Sequence, residues 1–282
     1  MPTSLTYHYT GRRYQKNRGL SVSRYIKKPW FLLILLAVAL LATVYKLRFS
    51  NADALWKIVS QQCVPHMVAE HNPQPCVAAD IPAGFVVYKS NVGPLQYLLM
   101  PTAKISGMES PQLLTSSSPN YFLDAWQARH FMADKYGAPI DDADISLTIN
   151  SKYGRSQDHL HIHISCLKPQ VKAALAAQEA NFRQQWQPLP AGLLGHDYLV
   201  RRTTAAELQH SGAFRLLADE VAGAKDNMGR YGLAMTALPD GAFLLLASQA
   251  SLTKLHRASV EELQDHDCNL LSPPPPPLVS SP

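Results

Sequence analysis

The sequence predicts an α+β fold in which helices pack on one face of a mainly antiparallel sheet, preceded by a single N-terminal transmembrane helix. Three observations predict this arrangement: short segments that alternate like strands, apolar residues at three- and four-residue spacing, and one long uncharged run near the N-terminus. The 282 residues are 46% hydrophobic, which is enough to fill a core. This composition excludes an intrinsically disordered chain.

The uncharged run covers residues 30–47 and carries no charge before Lys46. A helix of that length reaches roughly 27 Å, close to the hydrocarbon thickness of about 30 Å in a bilayer. Basic residues flank the run, so the positive-inside rule predicts a cytoplasmic segment at 1–29 and export of everything that follows the anchor. The A-x-A motif at 52–54 leaves a cleaved signal peptide open, and a buried core helix is a further alternative.

The net charge of +5 belongs to one end of the chain. Residues 1–50 carry nine of the 26 Lys and Arg residues and none of the 21 Asp and Glu residues, so the rest of the chain is net acidic. A mildly acidic domain lacks the positive charge that non-specific binding to a phosphate backbone needs. We therefore expect no nucleic acid among the partners of the main domain.

The elements after the anchor follow from periodicity and from turn residues. In chain order, the sequence predicts a helix at 51–70, strands at 85–88 and 97–100, a helix at 119–136, a strand at 145–149, a strand from His159, a helix at 171–187, and strands at 233–235 and 243–247. Turn residues at 90–94 and 239–241 separate consecutive strands, which predicts antiparallel hairpins.

All four cysteines lie on the predicted exported side of the anchor, where disulfides persist. No C-x-x-C pair is present, so neither a zinc knuckle nor a thioredoxin-like site is indicated. The sequence leaves three pairings open. We favour Cys63–Cys76, which closes a loop just after the anchor, together with Cys166–Cys268, which ties the C-terminus to a core strand. Buried free thiols are the alternative.

The segment at 159–166 is the most informative part of the chain, because three histidines alternate there with apolar residues. On a strand, His159, His161 and His163 project from one face about 6.6 Å apart, while the apolar residues enter the core. Aligned imidazoles serve either a metal site completed by a ligand from elsewhere, or phosphate chemistry in which one imidazole attacks phosphorus. A surface histidine tract is a weaker alternative, because the intervening residues are all apolar.

The surroundings of these histidines resemble the histidine-triad superfamily of nucleotide hydrolases and transferases. That superfamily has an Asn, a short turn containing Gly, a Ser or Thr, and then three histidines separated by apolar residues. Asn150, Gly154 and Ser156 stand at the matching positions before the histidines. Arg155 replaces the usual Gln, and Gln157 replaces the usual Val.

Further segments are similar to the CDP-diacylglycerol pyrophosphatase family, a membrane-anchored branch of that superfamily; they lie at 93–101, 126–129, 195–202, 229–235 and 265–268. The resemblance implies a HIT-like fold and hydrolysis of CDP-diacylglycerol to phosphatidate and CMP in phospholipid metabolism. It implies no cofactor and no metal. Because a substrate with two acyl chains stays in the bilayer, we expect a single-pass protein of the bacterial inner membrane, with its catalytic domain on the periplasmic side.

The resemblance assigns the nucleophile to His161, whose attack on the CMP-side phosphorus would form a cytidylyl-histidine intermediate. His159 and His163 flank it for phosphate oxygens and proton transfer. Hydrogen-bond donors and cations elsewhere could bind the substrate; these candidates are Asn150, Ser156, Lys104, His196, Arg201 and Arg230. Lys104 stands where the superfamily has a His, and an ammonium group can hold a phosphate oxygen as a point charge.

Four regions are thus predicted: a basic segment at 1–29, the anchor at 30–47, a HIT-like catalytic domain at 48–270, and a proline-rich disordered tail at 271–282. Five consecutive prolines give the tail a polyproline II character that excludes helix and strand. Two alternatives to the phosphohydrolase remain open. One is an exported metal-dependent hydrolase or metal-binding protein that uses the spaced histidines, and the other is a scaffold that acts through its proline tail. The sequence does not indicate an oligomeric state.

Overall fold

The computed structural model describes residues 29–49 and 52–271, with side chains at 30–43 and from 52 onward. The chain separates into two compact units, Met1–Phe49 and Ser50–Pro282. The basic segment predicted at 1–29 lies outside the described residues apart from its last position. The proline-rich tail predicted at 271–282 lies outside them apart from its first.

The first unit is described over one helix, α1 (Pro29–Phe49), which contains 21 residues. In the described part of the chain, no helix combines the length and the apolar character that crossing a membrane requires. This finding contradicts the predicted anchor at 30–47 and the single-pass inner-membrane localisation that depended on it.

The second unit is built on one sheet of ten strands, and every described pairing is antiparallel. The strands are β1 (Cys76–Asp80), β2 (Phe85–Lys89), β3 (Tyr97–Pro101), β4 (Ile145–Ile149), β5 (Ile162–Leu167), β6 (Gln187–Pro188), β7 (Leu199–Thr203), β8 (Tyr231–Ala237), β9 (Phe243–Gln249) and β10 (Gln264–Asp265). Their order across the sheet is β1-β2-β3-β5-β4-β8-β9-β7-β6, and β10 pairs with the end of β5. The antiparallel α+β class predicted from the sequence is thereby confirmed.

Seven α-helices of the second unit connect or cover these strands: α2 (Ala54–Ile58), α3 (Val64–Glu70), α4 (Tyr121–Ala128), α5 (His130–Tyr136), α6 (Pro169–Ala176), α7 (Ala205–Ser211) and α8 (Ala213–Glu220). A π-helical stretch, Val59–Cys63, joins α2 to α3. The helix predicted at 171–187 is wrong in its second half. After α6 the chain forms a 3₁₀ turn and then extends, so that Phe182 enters the core beside the sheet.

The sheet separates two cores, because successive residues of a strand point to opposite faces. One face packs against α4, α5 and α8, and it buries Ile162 and Ile164 of β5 completely. The other face packs against α6 and against the helical stretch that contains Val59. The helices therefore cover both faces, and not one face as the sequence predicts. The histidine side chains of β5 project into the second face.

Two disulfides link segments of the fold, Cys63–Cys76 on the second face and Cys166–Cys268 in the core of the first face. Cys63 bonds to Cys76, which joins the π-helical stretch to β1. Cys166 bonds to Cys268, which joins β5 to the chain just after β10. This is the pairing that we favoured from the sequence, and no free cysteine remains among the described residues. Both bonds hold segments that frame the histidines.

Candidate active site

The three histidines of the run are buried beneath the second face of the sheet, with exposures of 0% for His159 and 7% for each of the other two. Ile162 and Ile164 alternate with them and enter the main core, which fixes the direction of the imidazoles. The rings of His161 and His163 lie 4.8 Å apart, between centroids, in an edge-on arrangement. The strand begins at Ile162 and not at His159, because Leu160 instead donates its backbone N–H to the carbonyl of Ile105.

His161 has one ring nitrogen fixed and the other available. Its Nδ1 lies 2.6 Å from the carbonyl oxygen of His159, to which it donates. The proton is thereby placed on Nδ1, and Nε2 carries a lone pair. Burial, assisted by the neighbouring His163, lowers the pKa of His161 to about 4. The ring is therefore neutral near pH 7, which is the state that a nucleophile requires.

His163 faces a carboxylate through one nitrogen, and its other nitrogen has no partner in the described chain. Its Nδ1 lies 3.2 Å from Oε1 of Glu261, and Nε2 of Gln96 lies 3.1 Å from the same nitrogen. Its Nε2 is buried and has no partner within the described residues. Burial lowers the pKa of His163, and the negative charge of Glu261 opposes that shift.

His159 closes the other end of the row. Its Nε2 donates to the carbonyl oxygen of Pro101 at 3.0 Å, and its Nδ1 is buried without a partner in the described part of the chain. The ring of Trp56 lies 5.1 Å from it, between centroids. Burial is the largest cause that lowers the pKa of His159 to about 4. Neutral His159 thus carries a lone pair on its buried Nδ1.

A carboxylate network supports this row from the opposite side. Oε2 of Glu261 accepts from Nδ2 of Asn150 at 3.0 Å, and Oε1 lies 3.0 Å from Nε2 of His266. Although burial alone would raise its pKa, the hydrogen bond from His266 and the charge of His163 hold the pKa of Glu261 well below its usual range. Glu261 is therefore a buried anion beside His163.

The sequence did not point to Glu261 or Gln96. Glu261 is one of two consecutive glutamates in a short stretch that reads as a surface turn, and Gln96 lies inside a segment quoted only for its resemblance. Glu261 follows His163 by almost a hundred residues and Gln96 precedes it by 67, so neither contact is contained in local sequence pattern. His266 carries a weak signal, because it lies in one of the family-like segments.

Two of the predicted substrate-binding residues lie close to the row. Asn150 follows β4 and bonds to Glu261, as described above. Lys104 lies 3.2 Å from Asp53 and 5.9 Å from the Trp56 ring centroid, and its charge acts on His159. A third, Ser156, is exposed on the loop that leads into the histidines, and the contacts of the described residues do not join it to them.

The remaining predicted cations are held by contacts of their own. Arg201 lies on β7, four strands from β5, which places it roughly 19 Å away at about 4.8 Å per strand. Its guanidinium donates to both Glu207 and Glu220. Arg230 donates to the backbone oxygen of Ala250 at 2.8 Å.

The last predicted residue, His196, belongs to a separate cluster. Its Nδ1 lies 2.8 Å from Oε1 of Glu262, and its ring lies 4.0 Å from that of His256, between centroids. The hydroxyl of Tyr198 donates to the same carboxylate. The contacts described for His196 therefore do not include the three histidines of the row.

The arrangement is suited to phosphate chemistry. It places one neutral imidazole with an available Nε2 between two rings whose inward nitrogens lack partners. Across residues 29–49 and 52–271, no group of three His, Cys, Asp or Glu side chains is arranged to hold a metal ion. An imidazole nucleophile flanked by hydrogen-bonding rings can attack phosphorus and bind the phosphoryl oxygens.

Comparison with known proteins agrees with this chemistry. The family model of CDP-diacylglycerol pyrophosphatase matches residues 50–272. A relative from Yersinia pestis, described as "CDP-diacylglycerol pyrophosphatase", is 70% identical over 252 residues, which cover 89% of this chain and 98% of the relative. These matches confirm the resemblance found in the sequence. The chain belongs to the CDP-diacylglycerol pyrophosphatase family.

Proposed function

We propose that this chain hydrolyses the pyrophosphate bond of CDP-diacylglycerol to phosphatidate and CMP, with His161 as the nucleophile and residues 48–270 as its HIT-like catalytic domain. Family membership supports the substrate and the bond that is cleaved. One observation supports the nucleophile above all. His161 is neutral, its Nδ1 is held by a carbonyl, and its Nε2 makes no hydrogen bond within the described residues.

In the first step, Nε2 of His161 forms a bond to the phosphorus on the CMP side. The bond from that phosphorus to the bridging oxygen breaks, and phosphatidate leaves with the electron pair. The imidazole becomes cationic as the P–N bond forms, and the carbonyl of His159 at its Nδ1–H stabilises that charge. In the second step, a water oxygen forms a bond to the same phosphorus and releases a proton to the solvent, the P–N electron pair returns to the imidazole, and neutral His161 and CMP are regenerated and released respectively.

The flanking rings supply the phosphate contacts in this proposal. Nε2 of His163 and Nδ1 of His159 are buried polar atoms without partners in the described chain, and such atoms are costly to leave unpaired. In the neutral rings both of these nitrogens carry lone pairs, so either ring donates to a phosphoryl oxygen only after it gains a second proton. Lys104, beside His159, and Ser156, on the loop that leads into the histidines, are exposed groups that would contact the remaining oxygens. Asn150 contributes by holding Glu261.

Isotope transfer tests which phosphorus is attacked. Hydrolysis in H₂¹⁸O is expected to place the label in CMP and none in phosphatidate, because water displaces His161 from the CMP-side phosphorus. Mass spectrometry of both products measures the label. Label in phosphatidate would mean attack on the lipid-side phosphorus, and would contradict the proposed intermediate.

The pH dependence of kcat/KM reports the protonation state of His161 in the free enzyme. His161 attacks only when neutral, and its pKa is lowered to about 4, so activity should rise as pH increases through about 4 and fall away below it. The measurement is kcat/KM between pH 3 and pH 8, with circular dichroism at each pH to confirm folding. An acid limb near the ordinary histidine value of 6.5 would contradict a buried, neutral His161 as the nucleophile.

A further inference from the structure

We propose that Glu261 is a positioning residue for this reaction: its carboxylate orients His163 so that Nε2 faces the phosphate, and it joins His163 to Asn150 and His266. The inference rests on the proposed function, because it requires the phosphate to lie beside His161. Nothing in the sequence motif of the three histidines points to this glutamate. It comes instead from a short turn almost a hundred residues further along the chain.

The fold fixes Glu261 from both sides. It lies in the 3₁₀ turn Val260–Leu263, whose Val260 and Leu263 are fully buried. Before the turn, the backbone at Ala258 packs directly against β8. The contact is so close that a Cβ added to Gly232 would lie only 2.6 Å from the carbonyl oxygen of Ala258. After the turn, β10 pairs with β5. The backbone N–H of Glu261 also donates to Oδ1 of Asn150 at 3.0 Å.

The contacts of Glu261 place the protons on two rings. A carboxylate only accepts hydrogen bonds, so we infer a proton on Nδ1 of His163, 3.2 Å from Oε1 of Glu261, and one on Nε2 of His266, 3.0 Å from the same oxygen. Nε2 of Gln96 lies 3.1 Å from Nδ1 of both histidines, and with these protons in place its amide donates to Nδ1 of His266. Neutral His163 then carries its proton on Nδ1, and a second proton can add only at Nε2, which has no partner in the described chain.

The charges around His163 show what the carboxylate contributes. The groups that face this ring are Glu261, His161 and His266, together with the neutral amide of Gln96. Burial and the neighbouring histidine disfavour the imidazolium form, and Glu261 favours it. With Glu261 present, a protonated Nε2 can donate to a phosphoryl oxygen while Nδ1–H stays on the carboxylate. Without it, protonation of His163 requires a lower pH.

The experiment compares the pH profile of Glu261→Gln with that of the wild type. The substitution keeps the shape of the Glu261 side chain and removes its negative charge. If protonated His163 donates to the phosphate, kcat/KM has an alkaline limb where His163 loses its Nε2 proton, and loss of the opposite charge is expected to move that limb down by about one pH unit or more. Activity at pH 7 should fall about tenfold or more as a result. Asp144→Asn is the matched control, because it removes a carboxylate that pairs with Lys172, and it should leave the limb in place.

Two further measurements keep the test decisive if Glu261→Gln does not fold. Glu261→Asp retains the charge and should keep the alkaline limb near its wild-type position. Nitrogen-15 chemical shifts of the wild-type imidazoles should show neutral His163 protonated on Nδ1. An Nε2–H tautomer, or a folded Glu261→Gln enzyme with the wild-type limb, would overturn the inference. If one of these results is found while His161→Ala is inactive, only the role of Glu261 is refuted and the proposed function stands. If His161→Ala stays active, the proposed function itself is refuted.

Discussion

Replacing His161 with Ala is expected to lower kcat for CDP-diacylglycerol by at least about 10⁴-fold, the scale seen when a nucleophile is removed. The physical reason is that His161 is assigned the attack on phosphorus, whereas the unpartnered nitrogens of His159 and His163 are assigned to the phosphoryl oxygens. Nε2 of His159 is bound to a carbonyl, and Nδ1 of His163 faces Glu261. The measurement is release of CMP from substrate in mixed detergent micelles at pH 7.

His130→Ala is the control for this substitution, because its side chain is exposed on α5 and lies on the opposite side of the sheet from the row. It should retain wild-type turnover. The same assay should be insensitive to EDTA, since the proposed attack by Nε2 of His161 uses an imidazole nucleophile and not a metal-bound hydroxide. Complete loss of activity in EDTA that Zn²⁺ restores would support the metal-dependent hydrolase that the histidine spacing left open.

Replacing Arg201 with Ala is expected to lower the free energy of unfolding by about 3 kcal/mol, at the lower end of the range for breaking a buried ion pair. Arg201 is only 3% exposed, and its loss leaves Glu207 and Glu220 without their partner. Both carboxylates are about one-third exposed, so water compensates them in part and the cost stays at that lower end. Urea unfolding followed by circular dichroism measures the change.

Arg202→Ala is the matched control for that measurement. Arg202 is the next residue of β7, and it pairs with Asp240 at a more exposed position, so its removal should cost about 1 kcal/mol or less. The kinetics of Arg201→Ala decide its role. A tenfold or larger fall in kcat/KM with unchanged stability would show that Arg201 acts on the substrate, as the resemblance implied, and would contradict a structural role.

The sequence predicts the sheet and the histidines well because both depend on local pattern. Alternation at 145–149 gave β4 within its observed bounds, and it placed His161 and His163 on the face opposite Ile162 and Ile164. The motif around the row also identified the family, which the comparisons confirm. Such signals need only a few neighbouring residues, so a single sequence contains them.

Other features depend on contacts that local pattern does not contain. Glu261 lies beside His163 because the segment that precedes its turn packs against β8. Asn150 bonds to Glu261 in that turn and is buried. The residues at 177–187 have a helix-forming composition. They nevertheless leave the helix, because Phe182 packs into the core and Gln187–Pro188 pair as β6. The span at 30–47 was inferred from hydropathy alone, and the described helices do not support it.

Trapping the covalent intermediate tests the central claim most directly. The enzyme is mixed with CDP-diacylglycerol, quenched within the first turnover under denaturing alkaline conditions, reduced and digested, and its histidine peptide is fragmented in a mass spectrometer. Fragmentation is needed because His159, His161 and His163 lie in one tryptic peptide. A cytidylyl group on His161, absent from His161→Ala, is the expected result. Turnover without any adduct, or an adduct on another histidine, would contradict His161 as the nucleophile.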